Sequence, residues 1–223
     1  LHYPLLRQRQ MGIIDRQIIM ILDDIGAHAV KIGMLHNADI IKSVCKILKK
    51  YKLKNVVLDP VMIAKGGEKL ISNSSIKHLK KLLLPLCTLV TPNIPEAEVL
   101  TGYSISNKED MIRAVKKILN MGVKNELLKG GHLKNKMIFD ILATKKGIKI
   151  FSKKRIRTKN THGTGCTLSS ALATCLSQKK NIVKSCKLSL SYVDKAIKSA
   201  PGYGKGLGPL NHLVSINLRN TDA

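Results

Sequence analysis

TKNTHGTGCTLSSALATCL, residues 158–176, joins a turn rich in glycine and hydroxyls to an apolar run. Leu168, Ala171, Leu172, Cys175 and Leu176 follow the i, i+3, i+4, i+7, i+8 spacing of one helix face. Small residues fill the intervening positions, so this helix can pack closely on both sides. Gly163 and Gly165 free backbone N–H groups at its start, and the helix dipole favours an anion there. The pattern predicts a buried helix with an anion cradle at its head and a cysteine, Cys166, at the lip.

Upstream and downstream, short apolar strands alternate with amphipathic helices. Ile14, Ile18, Ile21, Leu22 and Ile25 mark a helix stopped by Gly26. HAVKIG reads as a strand, and Asn37 can cap a helix with Ile40, Ile41, Val44 and Leu48 inward. NVVLD, 55–59, is a strand ended by Pro60; a helix around Ile76, Leu79, Leu82 and Leu83 ends near Pro85. CTLVT is a strand closed by Pro92. Ser106 with Glu109 forms a capping box for a helix through Leu119. NELLK is a strand, IFDILAT and IKIF form a hairpin about Gly147, and a last helix begins near Ile182. Such alternation means βαβ units and a mostly parallel sheet covered on both faces.

The chain has 223 residues, 44% of them hydrophobic and 3% aromatic, enough for one aliphatic-cored domain. No run approaches the ~20 apolar residues of a membrane span. The five cysteines, Cys45, Cys87, Cys166, Cys175 and Cys186, form no C-x-x-C pair, which points to a reducing cytoplasm. The formal charge is +25, from 39 basic residues of which 32 are Lys and 7 Arg. Those lysines are scattered, without aromatic stacking platforms, so a solvated basic surface is expected rather than nucleic-acid recognition.

Parallel sheets bind ligands beyond the carboxyl ends of their strands. Those ends hold Gly33-Met34, Asp59-Pro60-Val61, Thr91-Pro92-Asn93 with Glu96 one turn on, and Lys129-Gly130-Gly131-His132. Two carboxylates, an amide, a lysine and an anion cradle suit a magnesium–nucleotide pair. Singly, each residue has another reading. Asp59 can end a strand, Glu96 can serve a helix dipole, Lys129 can begin a loop, and Met34 and Cys166 can fill the core.

KNTHGTGC, PNIPEA, KGGHL, VKIGML, LDPVMIAK and GPLNHL together resemble the hydroxymethylpyrimidine/phosphomethylpyrimidine kinases of thiamine biosynthesis, from about Asp15 to Leu213. Many ribokinase-like enzymes carry aspartate where Cys166 stands, and cysteine there favours the pyrimidine kinases over sugar kinases. The resemblance implies a ribokinase-like three-layer αβα sandwich with a mostly parallel central sheet, and phosphorylation of 4-amino-5-hydroxymethyl-2-methylpyrimidine and its monophosphate by ATP with Mg²⁺. It implies an anion hole from Gly163, Thr164, Gly165 and Cys166, with Cys166 as base or hydrogen-bond partner for the substrate hydroxyl. A helix N-terminus lowers a thiol's pKa from about 8.5 toward neutrality, which makes that role chemically sound. Asp59 and Glu96 would organise Mg²⁺, Asn93, Glu96, Lys129 and Thr161 would serve ATP, and Met34 and Val61 would flank the pyrimidine.

Family members begin with a βαβ unit carrying a G-x-D-P-S-G-G-A-G loop, and neither that loop nor the later pyrimidine-reading glutamine is found here. The expectation is therefore an N-terminally truncated fold, with an unmatched segment over 1–12 and a single kinase domain over 13–223. Such a chain is expected to bind MgATP weakly and to phosphorylate no pyrimidine. The expected partner is a small pyrimidine, with no membrane and no specific nucleic acid, and homodimerisation stays open. A pyridoxine or pyridoxal kinase of the same fold and a non-catalytic nucleotide-binding remnant are the alternatives.

Overall fold

Strands β1 (Val30–Ile32), β2 (Val56–Leu58), β3 (Leu89–Val90) and β4 (Asn125–Leu128) lie side by side in parallel, in the order of the chain. The computed structural model describes residues 11–63, 67–133 and 136–214. Strands β5 (Met137–Thr144) and β6 (Gly147–Lys154) continue the sheet antiparallel, so its order is β1-β2-β3-β4-β5-β6. Every residue of β2 and β3 is buried, the near-continuous apolar run of strands covered on two faces. Thr144 pairs Gly147 across a two-residue turn, and Gly147 has φ +128°, open only to glycine at low cost.

The pleat divides the core. Leu128 and Ile141 join the cluster on one face with Ile41, Leu83, Leu100 and Ile118. Helices α2 (Ala38–Lys50), α3 (Asn73–His78), α4 (Ile94–Thr101) and α5 (Lys108–Leu119) supply those partners or extend them. Leu127 and Leu142 project to the opposite face, onto α6 (Thr164–Ser177) and α7 (Ile182–Lys198) through Leu168, Leu172, Cys186 and Leu190. This is the expected three-layer arrangement.

Caps fix where the helices begin. Asn37 accepts from Ile40 N–H at 2.9 Å to start α2. The start expected at Ser106 is displaced by one residue. Asn107 is the cap of α5, accepting from Asp110 N–H at 2.8 Å, and Asp110 in turn accepts from Ser106 N–H at 3.1 Å. An Asn–Asp pair thus does the work expected of Ser106 and Glu109, because the shorter Asp reaches back to N–H 106. Helix α3 runs on through a π turn at Leu79–Leu83 and a 3-10 turn at Leu84–Leu86. Pro85 lacks an N–H and crowds the carbonyl one turn back, so the α ladder cannot continue through it.

Helix α1 (Met11–Asp24) forms as its periodicity predicts, with Gly26 at φ +76° beyond its end. Its apolar stripe is only partly covered, however: Ile14, Ile18 and Leu22 are half-buried, while Ile21 is 55% and Ile25 80% exposed. Tyr51 Oη donates to Asp23 at 2.6 Å and Ser43 Oγ to Asp15, so polar bonds hold α1 against α2.

One strand residue contradicts its surroundings. Glu126 of β4 is 0% exposed, and neither carboxyl oxygen has a hydrogen-bond partner among the described residues. Burial alone pushes it well above the ordinary carboxylate range. Below about pH 4.5 the group is protonated whether folded or unfolded; above it, the folded chain alone retains the proton and stability falls. Glu126→Met keeps the unbranched shape and removes the unpaired oxygens. It should raise the free energy of unfolding, read from urea titrations, by about 1–3 kcal/mol, and by more at pH 8 than at pH 5. A midpoint lower than wild type at pH 8 would show that the carboxyl has a stabilising partner.

Candidate active site

Three strand ends are carried past the sheet by backbone bonds that keep them in line. Asp59 N–H donates to Ile32 O, Thr91 N–H to Leu58 O and Lys129 N–H to Pro92 O, each at 2.9 Å. Side chains at these positions therefore leave the sheet at one rim. Asp59 is buried, and the Lys129 ammonium reaches its Oδ1 at 2.9 Å, with Thr91 Oγ1 donating to the same oxygen at 3.4 Å. Asp59 is thus more than the end of a strand. It is half of a buried ion pair spanning β2 to β4.

The third party to that pair is the head of α6. Gly163 sits at φ +80° as its N-cap, without a side-chain cap, and Thr167 N–H closes on Gly163 O at 2.9 Å. Helix geometry leaves the N–H groups of Thr164, Gly165 and Cys166 without an intrahelical acceptor. A Cβ at Gly165 would lie 3.3 Å from Lys129 Nζ and 3.5 Å from Asp59 Oδ2. Glycine at 165 thus leaves the ammonium room at the head of α6, where a Cβ would ask it to shift by a few tenths of an ångström. Cys166 is exposed, so it is not the small core residue its type suggests.

Asn93 and Glu96 close the same rim through a capping box at the start of α4. Asn93 Oδ1 accepts from Glu96 N–H at 2.9 Å, and Glu96 Oε2 accepts from Asn93 N–H at 2.8 Å. Asn93 also bridges to Lys129 in parallel fashion, placing Glu96 within the field of Lys129 and Asp59. Burial is the largest influence on Glu96 and pushes it up to about 7; Lys129 and the Asn93 N–H pull it down, and Asp59 pushes it further up.

Thr161 precedes the cradle, its carbonyl accepting from Thr164 Oγ1 at 3.2 Å. Met34 and Val61 stand just past the ends of β1 and β2, Met34 49% exposed and Val61 half-buried. The closing GPLNHL segment lies against the cradle loop, with His162 N–H donating to Gly208 O at 3.2 Å. A Cβ at Gly208 would collide with the Asn160 side chain at 2.1 Å, which accounts for glycine there.

Sequence reasoning missed Asp140 and Arg155, which hold the Lys129-Gly130-Gly131 loop. Asp140 Oδ1 accepts from Gly130 N–H at 3.0 Å, and Arg155 donates to Gly131 O at 2.9 Å and to Leu133 O. A lone carboxylate inside the apolar run IFDILAT was the available signal for Asp140. A cavity of about 960 Å³ lined by Lys124, Lys145, Lys146, Lys184 and Lys187 lies at the other end of the sheet, at the start of β4. It shares no residue with the rim.

A cation would find two carboxylates here, Asp59 and Glu96, and no group of three or more His, Cys, Asp or Glu among the described residues. That set suits an ion that keeps most of its water and takes its remaining oxygens from phosphate, the habit of Mg²⁺. No helix of the described residues is long and apolar enough to cross a membrane.

A sequence model of the phosphomethylpyrimidine kinase family matches residues 6–211. A thiamine biosynthesis bifunctional protein of Geobacter sulfurreducens is 44% identical over 199 residues, covering 89% of this chain and 41% of that protein. The hydroxymethylpyrimidine/phosphomethylpyrimidine kinase of Bacillus subtilis is 39% identical over 200 residues, 89% of this chain and 74% of that one. Among solved structures, the pyridoxal kinase of Staphylococcus aureus in complex with AMP-PCP superposes with a TM-score of 0.84 at 29% identity, covering 91% of this chain and 73% of that one.

Glu96 offers a test of the rim that needs no ligand. Its proton leaves near pH 7 in the folded chain and near its ordinary 4.5 when unfolded, so the stability it contributes is full below 4.5 and lost as pH rises through 7. Glu96→Gln retains the cap oxygen and removes the charge. The variant should match wild type near pH 4.5 and exceed it above pH 7 by on the order of 3 kcal/mol, read as denaturation midpoints against pH. Parallel curves for the two proteins would mean that Glu96 is solvated and titrates normally.

Proposed function

The chain belongs to the phosphomethylpyrimidine kinase family, and from that premise we propose that the protein moves the γ-phosphate of ATP to the hydroxymethyl group of 4-amino-5-hydroxymethyl-2-methylpyrimidine, then phosphorylates the resulting monophosphate. The observation that carries this reading is the bare face of Gly165, which opens the α6 amides toward Lys129 and Asp59. Backbone N–H groups at a helix start and an ammonium together hold anionic phosphate oxygens, and they do so without reorganising as charge develops.

Within that reading the N–H groups of Thr164, Gly165 and Cys166 take the transferring phosphate, and Lys129 offsets its charge. Asn93 and Thr161 meet the remaining phosphates, while Asp59 and Glu96 would hold Mg²⁺. The ion supplies neutralisation of phosphate charge when bound. Cys166, exposed beside the cradle amides, accepts or steers the proton of the substrate hydroxyl. Met34 and Val61 give the pyrimidine ring apolar flanks. Five cysteines without disulfides suit a reducing, cytoplasmic setting. Pyridoxal is the competing substrate, favoured by the structural likeness to a pyridoxal kinase.

The substrate is decided by ATP-dependent ADP release from the whole protein that carries this chain, offered hydroxymethylpyrimidine, its monophosphate or pyridoxal. Preference for pyridoxal would overturn the pyrimidine assignment. Cys166→Ala should slow single-turnover phosphoryl transfer by about 10²-fold with ATP affinity little changed, since the cradle amides remain. A wild-type rate in that variant would make the thiol a bystander.

A further inference from the structure

The β4–β5 ladder ends in an unusual way. Its register pairs Leu128 with Ile141, so one step further Lys129 stands opposite Asp140, on the face that carries α6 and α7. The ladder does not take that step as a backbone pair. Instead the Asp140 carboxylate accepts the N–H of Gly130 at 3.0 Å, while Lys129 N–H turns the other way to Pro92 O. Glycine is needed for so close an approach, because a Cβ at position 130 would lie 2.0 Å from Phe139 O.

Asp140 is itself anchored. It is 4% exposed, and Lys153 of β6 lies 3.8 Å from its Oδ2 while binding Asp194 of α7 at 2.7 Å. Lys153 and Asp194 are partly exposed, at 25% and 24%, so the network runs from the surface inward to a buried carboxylate. Arg155, just past the end of β6, holds the carbonyls of Gly131 and Leu133. The loop that carries Lys129 is thus gripped from the hairpin and from α7, neither of which supplies a residue to the rim itself.

We infer that Asp140 is the positioning residue for Lys129: by taking the Gly130 N–H it sets where the lysine leaves the sheet, and so keeps the ammonium between Asp59 and the head of α6. The Lys153–Asp194 pair keeps Asp140 aimed at that N–H. The importance of this for turnover rests on the kinase reading above; the placement of Lys129 does not. Asn at 140 preserves the accepting oxygen, whereas Ala removes it.

The test joins a readout of placement to one of turnover, on the whole protein and well below each variant's melting temperature. Pulsed acetylation with mass spectrometry reads the reactivity of Lys129, which is 15% exposed and ion-paired. Asp140→Ala should label at Lys129 about tenfold faster than wild type, as expected for loss of one charge-assisted hydrogen bond. Its kcat should fall about 10-fold to 10²-fold with the pyrimidine KM little changed, and Asp140→Asn should recover most of both. Unchanged labelling of Lys129 in Asp140→Ala overturns the inference, and faster labelling with wild-type kcat overturns its bearing on turnover. A wild-type protein without ATP-dependent turnover sinks the kinase reading instead, and labelling still decides whether Asp140 places the lysine.

Discussion

The Lys129–Asp59 pair, 2.9 Å apart and almost wholly removed from solvent, ties the ends of β2 and β4 together directly beneath the start of α6. Desolvating two charges costs several kcal/mol each, and their mutual attraction repays that only with good geometry and further hydrogen bonds. Here the extra partners are few, chiefly Thr91 Oγ1 at 3.4 Å. An apolar pair of similar volume would hold the two strands at least as well. Stability alone therefore gives little reason for the pair; under the proposed kinase reading, its place facing a helix N-terminus suits an anion. A Cβ at Gly165 would enter that space 3.3 Å from Lys129 Nζ, so a side chain there asks the ammonium to shift.

Four buried carboxylates show how far environment sets the behaviour of one chemical group. Asp59 gains a lysine, and Glu96 gains a backbone N–H and a distant lysine yet is still pushed up to about 7 by burial. Asp140 is raised chiefly by burial, against the pull of Lys153 and the Gly130 N–H. Glu126 has no partner among the described residues and is raised most plainly of all. The first three cluster around one loop and one rim; Glu126 has no account in the site and stands as a cost to the fold.

A division of labour follows along the sheet. The parallel half, β1 to β4, presents chemistry at its carboxyl ends, as open parallel sheets do. The antiparallel hairpin presents none, but Asp140 and Lys153 on it and Arg155 just past it hold the glycine loop after β4. That hairpin lies at the sheet's far side from β1, and this loop is one route by which a change on its surface reaches the rim.

The order of the strands and of every helix but α4, the Asn37 cap, the glycine-led α6 and the rim positions Asp59, Asn93, Glu96 and Lys129 were legible in the sequence, because each follows from local periodicity or from where an apolar strand stops; α4 is a short helix started by the Asn93–Glu96 box rather than by a long apolar stripe. The family could be recognised there too, from motifs whose residues are contiguous. What sequence could not reveal is anything that depends on distance across the fold. It placed Glu96 on the rim without its capping box, set the start of α5 one residue early, and gave no sign that the stripe of α1 would lie partly open. The bond from Asp140 to Gly130 joins residues ten apart through a sheet register that no local pattern encodes. Only the tertiary structure, by choosing that register and closing α6 over Asp59 and Lys129, decided which polar groups lose water together, and it is burial in that setting, not residue type, that pushes Glu96 and Asp140 up.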